Sequence, residues 1–136
     1  MANALFSPGR EGFLDGSIDW DTNDIRVMLV KSAYTFVASH KFITDLPAAT
    51  ADNGRSLALG TKTVTDGIAD AADTSLTATA AAACNAYIIF QNTGADATAR
   101  LIAYIDTVTS GLPFTPAAGG TVNIAFDNGA TKIFKL

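Results

Sequence analysis

The chain has 136 residues, and Ala, Thr and Gly together fill 53 of them. Twelve Asp stand against a single Glu, the formal net charge is −4, and 49% of residues are apolar at a mean hydropathy of +0.25. These figures suit one β-leaning domain, residues 1–136, with a real core; they exclude a disordered chain, an all-helical protein and a basic surface that tracks nucleic-acid phosphates.

Residues 1–20 read as a helix or arm, distinct from the rest of the chain. Ser7-Pro8 predicts a helix N-cap and the first helical residue. Residues 10–14 continue for one or two turns, and Asp15-Gly16 ends them with Gly16 left-handed. Gly9 and Gly12 each weaken such a helix by about 1 kcal/mol relative to Ala, so packing of Phe6, Phe13 and Leu14 is expected to hold it. Trp20, the chain's one Trp, comes directly after. Pro8, Gly9, Arg10 and Glu11 interrupt the opening 14 residues, so no secretory leader is expected, and no run reaches the roughly 20 apolar residues of a membrane-spanning helix.

From residue 24 to 136 the signal is β. Residues 25–30 form a strongly apolar strand, and 34–37 are a short strand or an irregular extension. Leu46 before Pro47 is extended, and Asp52-Asn53-Gly54 marks a turn. Residues 56–65 and 74–79 carry alternating, Thr-rich strand material, and 78–86 reads as a loop or an irregular strand start. A buried strand over 85–91 turns at Asn92-Thr93-Gly94 and pairs antiparallel with 100–106, where Ile102 and Tyr104 share one face and Leu101, Ala103 and Ile105 the other. Residues 121–126 and 131–135 flank Asn128-Gly129, the signal of a type I′ hairpin. Seven or so short strands separated by turn signals predict a mainly β fold, an antiparallel β-sandwich with a short N-terminal helix.

The chemical inventory is thin. One His (His40), one Cys (Cys84) and one Glu (Glu11) supply neither a Cys/His zinc site nor an acid–base or nucleophilic constellation. No catalytic residue, cofactor or metal ligand is therefore assigned, and no enzyme is expected. Two acidic stretches, Asp66/Asp70/Asp73 and Asp15/Asp19/Asp21/Asp24, contain potential cation ligands but lack the ordered ligand spacing of a calcium loop; solvated loops, caps and turns account for them. Gly119-Gly120 is a flexible turn without a phosphate-loop pattern. Cys84, in an alanine run, reads as a buried inert thiol, and His40 as a loop residue. Trp20 is either an interface anchor or sugar platform, or is buried between helix and sheet.

The opening run ALFSPGREGFLDGSIDW and the closing runs RLIAYIDT, GLPFTPAAGG and FDNGATKIFKL resemble a family of small virion structural proteins of tailed bacteriophages, over about the first 30 and last 40 residues. The resemblance implies a head decoration (cement) protein at the capsid surface, made in the host cytoplasm, with the major capsid protein and further copies of itself as partners. A homo-oligomer, a trimer by analogy, is expected, with neither nucleic acid nor membrane as a partner. Leu5, Phe6, Phe13, Leu14 and Trp20 are the expected contact residues, on a segment that either reaches out as an arm or plugs one end of the sandwich. Alternatives are a neck, tail or fibre-base protein, and a module binding a glycan or host surface through Trp20, Tyr34 or Phe114.

Overall fold

A computed structural model describes residues 3–107 and 112–136. Its strands are β1 (Ala4–Leu5), β2 (Ile25–Lys31), β3 (Asp52–Arg55), β4 (Thr63–Thr65), β5 (Ile68–Asp70), β6 (Thr74–Thr77), β7 (Cys84–Gln91), β8 (Leu101–Ile105), β9 (Thr121–Ile124) and β10 (Phe134–Lys135). Helix α1 spans Ser7–Asp15, a 3-10 turn Ile43–Asp45 and the single-turn α2 Ala48–Ala51. All strand pairings among the described residues are antiparallel, and the protein is mainly β, in line with its Thr-rich, Glu-poor composition. A five-stranded sheet runs in the order β1-β8-β7-β2-β3, beside a three-stranded sheet β10-β5-β4 and a two-stranded sheet β6-β9. The strand number exceeds seven because the Thr-rich stretches break into short pieces shared between the two small sheets.

The central sheet is covered on both faces, which is why β2 and β7 are nearly unbroken apolar runs. Ile25, Val27, Leu29, Tyr87 and Ile89 face the two small sheets and meet Leu76, Val122, Ile124, Phe126 and Phe134. Met28, Val30, Ala86, Ile88 and Phe90 face the other way, onto Tyr34, Ile43, Leu46 and Ala51 of the segment 32–51, with Phe6 and Tyr104. That segment contains no strand: residues 34–37 are irregular, and the 3-10 turn and α2 come after them. Its aromatic rings form a chain, with Phe6 to Phe36 at 5.0 Å, Phe36 to Tyr104 at 5.1 Å and Tyr34 to Tyr104 at 6.0 Å between centroids.

Several local expectations change once tertiary contacts are seen. The Asn128-Gly129 hairpin does not form. β9 pairs with β6, in the register Leu76↔Val122, and β10 pairs with β5, in the register Phe134↔Ala69. Gly129 is not among the residues with positive φ, and its amide donates to the Asp127 carboxylate at 3.3 Å. The alternating burial of Val122 and Ile124 and the aromatic surroundings of Phe134 select more distant partners than the local turn offers. Asp52-Asn53-Gly54 is likewise a strand, β3, and not a turn. Gly54 has φ +117°, and a Cβ there would collide with the Thr77 carbonyl oxygen, so glycine permits the approach of β3 to β6. Between β3 and β4, residues 57–62 leave the ladder. In β8 the register shifts against β7 between Ile89 and Phe90. This bulge puts Ile102 with Ala103 and Ile105 on the strand-covered face and Leu101 with Tyr104 on the other, breaking the simple alternation.

The N-terminal helix starts one residue before the expected point. Phe6 is the N-cap, Ser7 is the first helical residue and donates its amide to Ala38 O at 2.8 Å, and Gly16 closes the helix at φ +81°. Gly9 and Gly12, read from sequence as weak points, are the helix residues that are buried. A Cβ on Gly9 would stand 2.7 Å from Leu101 O and 2.9 Å from the Ile102 Cα, so its lack of a side chain lets α1 lie directly on β8, while Gly12 makes room for the side chains of Ile18 and Arg100. Leu14 does not help hold the helix: it is 89% exposed. Phe6, fully buried, and the two glycines hold it instead. Among the described residues no helix is long and apolar enough to cross a membrane.

Candidate interaction surface

Phe6 and Trp20, two of the five residues expected at a contact surface, lie in the core. Trp20 is 4% exposed, donates its indole Nε1–H to Asp70 O at 3.0 Å, and meets Phe134 edge-on at 5.2 Å and 86°. Phe13 reaches the other side of Phe134, at 5.8 Å. The last strand thus docks between the helix and the residues after it, and segments more than 110 positions apart share one wall.

Around this junction the surface is apolar and grooved. Leu5, Arg10, Phe13, Leu14, Lys135 and Leu136 line a cleft of about 330 Å³. It shares Leu5, Arg10 and Lys135 with a cleft of about 240 Å³ that runs between β1 and β10 over Ala103, Ile105 and Ile133. It shares Phe13 and Leu136 with another of about 300 Å³ that continues to Ile18, Trp20 and Val64. Among the described residues, three of the five large apolar side chains that stand exposed, Leu14, Val64 and Leu136, belong to this band. Large apolar groups gathered in one place, unlike scattered ones, mark contact surfaces. β1, β4 and β10 are all edge strands here, and open sheet edges are themselves pairing templates.

The electrostatics of the band are uneven. Elsewhere the cations are engaged. Arg26 pairs with Asp24 at 2.9 Å, and Arg55 grips Asp96 at 2.7 Å and Asp52 at 2.9 Å. Lys31 donates to Ala49 O, Lys62 to Asn23 O and Arg100 to Pro8 O, and Lys41 lies over the Phe42 ring. The Arg26 and Arg55 hydrogen bonds hold Asp24 and Asp96 below the usual carboxylate range. Among the described residues the side chains of Arg10, Lys132 and Lys135 make no ion pair, hydrogen bond or ring contact. Arg10 and Lys135 line the first two clefts, where no Asp or Glu side chain lines the wall. Asp19, on the far cleft, is the acidic member of the band; interaction between its carboxyl and that of Asp21 lowers Asp19 and raises Asp21.

The remaining candidates are spread out. Among the described residues no three His, Cys, Asp or Glu side chains converge as a metal site would need. Asp73 accepts the Phe126 amide at 2.9 Å, Asp15 caps Ser17, and Asp66 occupies a tight turn at φ 52°. Cys84 is fully buried; desolvation pushes its thiol up, and Asn53 Nδ2 lies 3.1 Å from its Sγ. His40 Nδ1 lies 3.1 Å from the Tyr34 hydroxyl, on the irregular cover. Tyr34 is buried, and Phe114 packs partly buried against the core. The GLPxTP motif begins at Gly111, outside the described residues.

Leu5, Phe13 and Leu14, expected from sequence at a contact surface, line the clefts; Arg10, Val64, Lys135 and Leu136, which line them too, were not singled out from sequence. The one signal available for them was the apolar and basic close of the chain, whose meaning depends on where β10 docks. Comparison with protein-family models, curated proteins and solved structures gave no match to this chain.

Proposed function

We propose that this chain is a non-enzymatic structural protein of a tailed-phage virion, a decoration protein that seats on the capsid shell as a homo-oligomer, three copies to a site, and clamps neighbouring major capsid protein subunits. One observation carries this reading. The opening run 4–20 and the end of the closing run 126–136, both part of the family resemblance, meet in space and build one exposed apolar band. Contact through it fits a clamp that adds on the order of 1,000 Å² of interface and resists internal pressure. Buried Trp20 and Tyr34 present no ring face, which weighs against a sugar platform built on them.

Electron microscopy of intact particles carrying this chain tests the reading. Density for the domain on the head, bridging coat subunits with the band turned toward the shell, is the expected result. Density at the neck, tail or fibre base, or none on the particle, overturns it.

A further inference from the structure

We infer that the cleft between α1 and β10 receives an extended segment of a partner protein that carries a carboxylate among apolar side chains. The inference rests on the reading above only in taking this cleft as the contact surface; it adds the chemistry of what enters.

The walls supply two kinds of group. Leu5, Phe13, Leu14 and Leu136 offer apolar surface that gains by leaving water. Arg10 and Lys135 stand exposed on the same cleft, in a chain whose other cations, Lys132 apart, already have partners. Arg10 belongs to α1 and Lys135 to β10, two elements fixed against each other through Phe13 and Phe134. The charges are thus held by the fold on one groove and not by a flexible tail.

A purely apolar occupant would leave two cations partly desolvated without partners, an unfavourable arrangement. A basic occupant would meet like charge. Back-to-back seating of two copies would set Arg10 and Lys135 of one against those of the other, again like against like. A carboxylate flanked by apolar residues satisfies both wall types, because charge-assisted hydrogen bonds to Arg and Lys are the strong ones. The groove passes between the edge strands β1 and β10, so the occupant is an extended chain and not a helix.

The test uses the full chain, immobilised and panned against a random-peptide display library. Enriched peptides should combine Asp or Glu with apolar residues. A synthetic peptide of the most enriched sequence should shift the NMR signals of Leu5, Arg10, Phe13, Leu14 and Leu136. Its affinity should fall about tenfold or more in R10Q/K135Q and in high salt, with the variant's thermal unfolding unchanged. No enrichment, enrichment of basic or wholly apolar peptides, or signal changes away from the cleft would each overturn the inference. So would concentration-dependent self-association lost in R10Q/K135Q, which would make a second copy the occupant. A positive peptide result together with particles that lack the protein would sink the virion reading and leave the cleft assignment standing; head density with no peptide binding would do the reverse.

Discussion

The two faces of the central sheet are protected by different means. One lies under β4–β5–β10 and β6–β9, whose backbone groups are satisfied largely by ladder pairing, so small and polar residues such as Thr74, Ser75 and Thr121 suffice to build the cover. The other lies under residues 32–51, which form no ladder and must satisfy their backbone one group at a time. There the Asp45 carboxylate accepts the Lys41 and Phe42 amides at 2.8 and 2.9 Å, Ile43 N–H donates to Ala99 O, and Leu101 N–H donates to Lys41 O. A strand cover spreads its support over many equivalent bonds; an irregular cover concentrates it in a few anchors.

Neighbouring residues of β7 probe this contrast most strongly. Ile88 and Ile89 are both fully buried and point to opposite faces. Ile89→Ala opens a cavity against paired strands that cannot close around it and should cost about 3–5 kcal/mol; Ile88→Ala, under a cover able to settle inward, should cost about 2–3 kcal/mol. Urea unfolding of the two variants measures the difference, and equal losses would break the contrast. Next in size is Asp45→Ala, which strips two amides of their acceptor and should cost about 1–2 kcal/mol. Hydrogen exchange should then show residues 41–46 opening while β2 and β7 stay protected; uniform loss of protection would mean that the irregular cover is no separate unit.

Acid sharpens the comparison further. Asp45 is held below its ordinary value by the Phe42 and Lys41 amides, and Asp96 by Arg55. A depressed carboxylate contributes fully above the unfolded value of about 3.9, and the contribution is lost as pH falls through the lower folded value. Hydrogen exchange taken from neutral pH into that range should therefore show 41–46 loosening before the paired strands. The smallest effect expected is Asp96→Asn, which removes a half-exposed partner of Arg55 and should cost less than about 1 kcal/mol by thermal unfolding.

The same contrast explains what was legible. β2, β7 and most of β8 stand out because a strand buried on both faces must be an apolar run. The hairpin at Asn128-Gly129 misled because a strong local turn signal competes with partners chosen by burial, and Phe134 gains more between Phe13 and Trp20 than beside Phe126. Gly9 and Gly12 looked like helix breakers because propensity is local, while the contacts they permit, with β8 at Gly9 and with Ile18 and Arg100 at Gly12, are not. The lining of the clefts was legible only in part for a similar reason. Leu5, Phe13 and Leu14 are apolar residues in an otherwise small segment, whereas Arg10 and Lys135 acquire meaning only when strand docking sets two ends of the sequence side by side.

Cys84 turns the paired side of the fold into a clock. Its sulfur is sealed where β2, β3 and β7 meet, with Asn53 as its lid: the Asn53 carboxamide oxygen takes the Ala80 amide at 2.9 Å while the nitrogen reaches the thiol. A thiol reagent added to the native protein reaches that sulfur only in molecules where this cover has opened, on the Asn53 side or where Phe114 bridges to Cys84. The speed of labelling therefore counts those openings directly, with no probe to engineer and no second cysteine to confuse the record.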